Sequence, residues 1–426
     1  MVRFAAVLVG VAACGSGTVV IAPVIDSPPT GSDAAAFPDL DVVELAVAVE
    51  GDDDDLVSAT FRRGEPLELA DVPYGEALVI HMIGRVGGSE VAAGRTCAFS
   101  LRTDEPPPAP HLYFARTVKW ADAVAPANPI RVGGVAITYD GDGSGLFLGG
   151  TDANDLPIAG LDRFDPMVGA FVPIGDLRRR RGAVAAQLAG PVVIAGGTDA
   201  ATGQPATYVE LVHPDRIDPV DAPPLALTEL AIAALSDGRA VAFGGRDAAM
   251  TVSASVVEVA PDGAGVAVRT LDALLAMPRA GHTATRLSDD LGAPVLIAGG
   301  DDAAGVPVAI AELYKPLRED FADPVDFAPA MVVPRTGHQA IRLPDGSVLV
   351  VGGYDVNELP VTTLELFSID TGFVDVGVLP ATAGINAATL TPLPDGRVLL
   401  AGGLDVAGAP VDTAFIVRLD PIDGVV

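Results

Sequence analysis

The sequence predicts an all-β chain: one four-stranded unit repeated six times, preceded by a smaller β-domain. Three observations carry this. A Gly-Gly pair closes a short apolar run at LFLGG (Gly149, Gly150), VIAGG (Gly196, Gly197), VAFGG (Gly244, Gly245), LIAGG (Gly299, Gly300), LVVGG (Gly352, Gly353) and LLAGG (Gly402, Gly403). Successive first glycines lie 47, 48, 55, 53 and 50 residues apart. An Asp follows each second Gly by two residues, at Asp152, Asp199, Asp247, Asp302, Asp355 and Asp405, and an acidic residue recurs later at Asp162, Glu210, Glu258, Glu312 and Glu365, with Phe415 in the sixth place.

Each unit reads as strand, tight turn, buried strand, Gly-Gly, polar loop, third strand and a looser fourth. The first two strands are joined by turn signals such as Ser236-Asp237-Gly238, Pro344-Asp345-Gly346 and Pro394-Asp395-Gly396. Asp-Gly between apolar runs marks a hairpin because Gly takes positive φ without steric cost. The run before Gly-Gly is apolar without alternation, the pattern of a strand covered on both faces. Adjacent glycines at its end suit a bulge or a close backbone approach. One such sheet cannot bury both faces alone, whereas a closed circle of them can and leaves few edges exposed.

The pattern resembles the kelch repeat, whose units run to about 50 residues. The resemblance covers residues 112–426. It rests on the six Gly-Gly pairs, the acidic-x-aromatic element (Asp162/Phe164, Glu312/Tyr314, Glu365/Phe367) and Arg-x-Gly-His at Arg279–His282 and Arg335–His338. It implies a six-bladed kelch-type β-propeller. Phe171 and Phe373 stand where most kelch units carry a Trp in the fourth strand. The last unit lacks a fourth strand after AFIVRL, and Trp120, in ARTVKWADAV, has a setting like FVPIGDL and FVDVGVL. Residues 112–123 are therefore expected to complete the sixth blade and close the ring.

Ahead of the repeats, MVRFAAVLVGVAACGSG carries Arg3, an apolar stretch Phe4–Ala13 and small residues before Cys14. This is the layout of a signal peptide, too short to span a bilayer. Val11-Ala12-Ala13-Cys14 resembles a bacterial lipobox, which implies lipidation at Cys14. Gly15 after it resembles outer-membrane sorting. Residues 1–14 are thus expected to be a lipoprotein signal peptide. Residues 15–37, rich in Pro, Ser, Gly and Ala, read as a flexible tether. Residues 38–104 alternate (VVELAVAV, LVSATFRR, EALVIHMIG, TCAFSL) and predict a small Ig-like β-sandwich. Residues 105–111 form a Pro-rich linker. Cys97, the other cysteine, is expected to be buried rather than reactive.

The formal net charge is −30, with 56 acidic against 26 basic residues, and Lys119 and Lys315 are the only lysines. Such a surface repels nucleic acid and anionic headgroups, so the expected membrane link is the lipid anchor alone. No HExxH, CxxC or GxSxG pattern occurs among the 426 residues, and no cofactor or metal is predicted. Asp52–Asp55 reads as a solvated hairpin tip and Tyr139–Gly143 as a hairpin loop.

Two sets of residues are candidates for a ligand face. The six Asp residues either form a ring of carboxylates or cap their own loops in Asx-turns, with the second favoured. Arg131, Arg180, Arg279, Arg335, His282 and His338 sit where one unit hands over to the next. There the arginines either brace those Asp residues or hold an anion bidentately. The expected function is a monomeric, non-catalytic binding or scaffold lipoprotein whose Gly-Gly-side loops meet a protein or glycan of the cell envelope. The alternative is a carbohydrate-acting enzyme, since periplasmic six-bladed kelch proteins include a sugar mutarotase.

Overall fold

The computed structural model describes residues 18–418 except 28–34, 50–53, 63, 97, 117–119, 123–131, 133, 139–144, 153, 166–169, 214–215, 264, 324–326, 344, 380–382, 384, 393–396 and 412–413. Cys14, Cys97, Arg131, Asp52–Asp53 and Tyr139–Gly143 lie outside the described residues.

The chain is all-β: the described residues hold no α-helix, only short 3-10 turns at Phe37–Asp39 and Pro223–Leu225. Among them, six antiparallel four-stranded sheets follow the Gly-Gly period. Sheet I is Val135–Thr138, Gly145–Leu148, Gly160–Asp165 and Ala170–Asp176. Sheet II is Val184–Gln187, Val192–Ala195, Tyr208–Val212 and Ile217–Asp221. Sheet III is Ala231–Ala234, Ala240–Phe243, Ser255–Asp262 and Gly265–Leu274. Sheet IV is Thr283–Arg286, Val295–Ala298, Glu312–Lys315 and Asp320–Phe321. Sheet V is Gln339–Arg342, Val348–Val351, Thr363–Ser368 and Gly372–Val378. Sheet VI is Thr389–Pro392, Arg397–Ala401, Ala414–Arg418 and, as its fourth strand, Trp120–Asp122.

That fourth strand comes from ahead of sheet I in sequence. Trp120 pairs with Val417, Ala121 with Ile416 and Asp122 with Phe415. The first strands of neighbouring sheets touch in order from I to VI, and those of VI and I touch as well. The second strands are buried along their length, as the unbroken apolar runs require (Val192–Ala195, Val295–Ala298, Val348–Val351). Their side chains fill cores shared between adjacent sheets, such as Val241, Phe243, Val295, Ile297 and Tyr314 between III and IV.

The residues ahead of these sheets build one six-stranded sheet and two two-stranded pairs. The larger sheet runs Ala115–Arg116, Ser89–Arg95, Gly75–Val86, Val42–Val49, Asp55–Arg62, with Phe99–Leu101 also on Gly75–Val86. Two expected boundaries shift. The stretch expected to be a tether contains Thr18–Ile21, paired with Leu69–Pro73, and Val24–Asp26, paired in parallel with His111–Tyr113. Ile21 and Ile25 are buried in one core with Leu45, Leu69, Ile80 and Phe114. Burying each side chain contributes about 1.5–3 kcal/mol, enough to order a short strand. The expected start of the repeats at 112 also moves, because His111–Tyr113 and Ala115–Arg116 pair into the N-terminal sheets. Ala115 is buried at the same time against Phe147, Phe164 and Leu399 of sheets I and VI.

Candidate functional site

The Gly-Gly end of the sheets is built from three parts: the Gly-Gly corner, the Asp loop that follows it, and the handover segment leading into each first strand. Both glycines take positive φ in every unit. The reason is crowding as well as dihedral. At Gly244, Gly299 and Gly352 a Cβ on the first Gly would strike the next unit's handover, 2.3 Å from the Arg279 carbonyl, 2.5 Å from that of Arg335 and 1.7 Å from that of Ile385, whereas at Gly149 it would meet nothing within 4 Å and the positive φ alone favours Gly. A Cβ on the second would strike its own unit's handover, 2.7 Å from the Ala280 carbonyl at Gly300. Where that crowding holds, two neighbouring units close on one backbone and only Gly fits. The second Gly also donates across the seam: Gly245 N–H to the Arg279 carbonyl at 2.9 Å and Gly300 N–H to that of Arg335 at 3.0 Å.

The six Asp residues cap their own loops. Asp152 Oδ1 accepts from the N–H groups of Asn154 and Leu156, at 2.8 and 2.9 Å. Asp199 does so from Ala201 and Thr202, Asp247 from Ala249 and Thr251, and Asp302 from Ala304 and Val306. Asp355 accepts from Asn357 and Leu359, and Asp405 from Ala407 and Ala409. Hydrogen bonds to the charged form favour it: the carboxyls of Asp152 and Asp355 are held below the usual range chiefly by the Leu156 and Leu359 N–H groups. Asp199 is lowered chiefly by the Tyr208 hydroxyl, which donates to it at 2.7 Å, while burial and that bond push the Tyr208 phenol up to about 12.

The handover arginines do not brace these Asp residues, as the sequence suggested; they pair with the acidic residue of the third strand. Arg180 Nη2 donates to Glu210 Oε2 at 2.6 Å and Arg279 Nη2 to Glu312 Oε1 at 2.7 Å, and Arg335 pairs with Glu365 in the same way. Each guanidinium also donates to main-chain carbonyls, those of Gly299 and Ile310 from Arg279 and those of Gly352 and Thr363 from Arg335. The partner carboxylates accept handover N–H groups in turn, at Val332 and Val333 for Glu365. Arg279 and Arg335 are fully buried. Arg180, Arg279 and Arg335 thus brace the protein from inside; the donors of Arg279 and Arg335 that face carbonyls and carboxylates are taken up there, while Arg180 Nε is buried without a hydrogen-bond partner.

His282 and His338 are enclosed as well, with both ring nitrogens of His282 and Nδ1 of His338 buried without a hydrogen-bond partner. They are buried, each ring lying where a Cβ on the preceding unit's first Gly would fall, Gly244 for His282 and Gly299 for His338. Thr283 Oγ1 lies 3.0 Å from His338 Nε2. Burial first, then the charge of Arg279 or Arg335, pushes both imidazoles down to about 3, so both are neutral at pH 7.

The residues that sequence reasoning missed follow the second Gly directly: Thr151, Thr198, Arg246, Asp301, Tyr354 and Leu404. Each bridges a handover residue on one side and the end of its Asp loop on the other, as Arg246 does with Thr228 and Val252. Here the repeat keeps its backbone and changes its chemistry, a signal that was readable in the sequence. Arg246 Nε donates to Glu229 Oε2 at 2.8 Å, and its Nη2 lies 4.0 Å from Asp301 Oδ2 of the next unit. Burial raises the Asp301 carboxyl above its ordinary value.

Around these positions the Asp loops present apolar side chains to solvent: Leu156, Met250, Val306, Val356, Leu359 and Val406 are exposed. Among the described residues, no group of three or more His, Cys, Asp or Glu side chains is placed to hold a metal ion. The chain matches no protein-family model and no curated protein.

Proposed function

We propose that this protein is a kelch-type six-bladed β-propeller behind a small Ig-like sandwich, lipid-anchored at Cys14 in the bacterial envelope, and that it binds a partner through the Gly-Gly-side loops without catalysis. The closed order of first-strand contacts and the pairing of Trp120–Asp122 with Ala414–Arg418 support the propeller reading. One observation carries the function. The repeated Asp carboxylates and the Arg–Glu pairs of this end are bonded within the protein, while the loops between them expose apolar side chains from five of the six units (I, III, IV, V and VI). Exposed apolar groups gathered on one surface mark an interaction site, and loops can vary while the sheets keep the fold. The commitment of Arg180, Arg279 and Arg335 to Glu210, Glu312 and Glu365 also favours binding over the sugar-acting alternative, which needs uncommitted Arg and Glu.

The test is capture from bacterial envelope extracts with the full chain, because residues 111–116 tie the N-terminal sheets to the repeats. A variant with Met250→Asp, Val356→Asp and Leu359→Asp should lose the captured partner, with affinity down at least about thirtyfold if a central anchor is among them. Leu291→Asp with Leu317→Asp, at the opposite end of sheet IV, should retain it. A partner kept by the loop variant at unchanged Tm would overturn the reading.

A further inference from the structure

Within the face just proposed, and resting on that reading, we infer that the handover into sheet II, with Arg178, Arg179, Arg180 and Arg181 in succession, is where an acidic segment of the protein partner docks. Three features single out this stretch. The braced handovers share one frame: the N–H groups of Arg178, Met277 and Val333 donate to Glu210, Glu312 and Glu365, and the bracing arginine follows two residues later. In this frame Arg180 alone serves the corner. Arg178, Arg179 and Arg181 stand where sheets IV and V have Met277, Pro278 and Ala280, or Val333, Pro334 and Thr336, so the corner closes without them. Next, these cations are available. Arg178 and Arg179 are exposed. Arg179 makes no side-chain hydrogen bond or ion pair among the described residues; its main-chain carbonyl accepts from Ala200. Arg178 lies over the Tyr208 ring, 4.6 Å from the centroid, with Arg180 at 4.4 Å from the same ring. Stacking positions a guanidinium while leaving its N–H groups to an outside acceptor. Arg181 pairs with Asp155, yet 43% of its side chain is exposed. Within the same cluster Arg180 Nε is buried without a partner, where Arg279 and Arg335 give theirs to the Met277 and Val333 carbonyls. The neighbouring carboxylates are engaged already, Asp152 by its loop and Asp199 by its loop and Tyr208. Finally, charge and surroundings choose the occupant. On a chain of net charge −30, adjacent exposed arginines are a local attractor for carboxylates, which guanidinium forks hold bidentately. Leu156, next to Asp155, is 56% exposed and supplies an apolar edge. Tyr208 is buried with two guanidiniums over its ring, so it offers no platform to a sugar. Acidic residues interleaved with apolar ones match this surface.

The experiment follows the arginine Nε–Hε NMR signals of the full chain in about 0.15 M salt. The probes are acetyl-Glu-Leu-Glu-Leu-Glu-amide, its Gln analogue, which removes only the charge, and trigalacturonic acid, which carries carboxylates without apolar side chains. The glutamate peptide should shift the Arg178 and Arg179 signals saturably, and more weakly as salt rises; the Gln peptide should not. Trigalacturonic acid should bind about tenfold more weakly than the glutamate peptide. Arg178→Gln with Arg179→Gln, both outside the brace, should weaken the glutamate peptide about tenfold without lowering Tm. Arg179→Gln alone, which removes no protein contact, should weaken it about threefold. Equal binding of the two peptides, no response to either, tighter binding of trigalacturonic acid, or unchanged affinity in both variants would overturn the inference. So would self-association of the wild-type chain that the double variant abolishes, because the occupant would then be a second copy. The two readings fail separately: loop-dependent capture with no response to the glutamate peptide removes the arginine dock alone, whereas capture that ignores the loop variant removes the reading on which it rests.

Discussion

The handovers into sheets V and III follow one backbone path and carry opposite chemistry. Into V, Arg335 is buried against Glu365 and three main-chain carbonyls, and His338 fills the space beside Gly299. Into III, Leu227 stands in the arginine position and Leu230 in that of the histidine, with Leu230 against Gly196. Glu258, the third-strand acid of III, is met instead by Arg239 and Arg269 from its own sheet. The handover into VI replaces the ion pair altogether, with Ile385 and Phe415 at the two positions. One corner can therefore be closed by a buried salt bridge or by apolar packing. The difference teaches that the brace is one solution to the corner, while the positive φ of both glycines is what all six units share. Where the brace is absent, in III, the turn holds Glu229 and the site beside it holds Arg246.

The largest expected effect sharpens this contrast. Arg335→Met leaves Glu365 buried without its cation and should cost about 3–5 kcal/mol in urea unfolding. The double change Arg335→Met, Glu365→Leu imitates the handover into VI and should recover much of that loss. Arg246→Met, at a partly exposed pair, should cost less than about 1 kcal/mol. Similar costs at the two arginines would break the distinction between a buried brace and a partly exposed pair.

A middle-sized effect concerns pH. His282 and His338 are pushed from 6.5 down to about 3 in the folded chain. The unfolded chain therefore takes up these protons first, so stability is whole above the ordinary imidazole value and falls as pH drops from 6.5 toward 3. Tm should begin to decline below 6.5, before carboxylates titrate at about 4. In His338→Gln that early decline should be shallower. An unchanged slope would show that His338 does not titrate with folding.

The smallest effect should be alike in braced and unbraced units. Asp355→Ala in V and Asp247→Ala in III each remove two loop hydrogen bonds and should cost about 1 kcal/mol. Unequal losses would mean that the brace supports the loop as well as the corner.

Some of the site was legible. The six Asp caps follow from local spacing, because an Asx-turn needs only the next few residues. The Arg–Glu pairs were not assigned, although both members were noticed, because they lie 30 to 33 residues apart in sequence and meet only when the first and third strands pack. The tether expectation failed for a different reason. Pro and Gly content outweighed two short β-branched runs, TVVI and VID, whose partners at 69–73 and 111–113 are remote.

What the sequence determined by itself was the period, the hairpin turns, the unbroken apolar second strands and the Gly-Gly corners, since each is written in local steric and hydrophobic preferences. The tertiary structure decided which arginines are buried and which are reachable, and which N-terminal segments become strands. Those outcomes depend on desolvation and on partners far along the chain. The same guanidinium is a brace at Arg335 and a surface group at Arg246 because only folding sets how much water and how many carbonyls surround it.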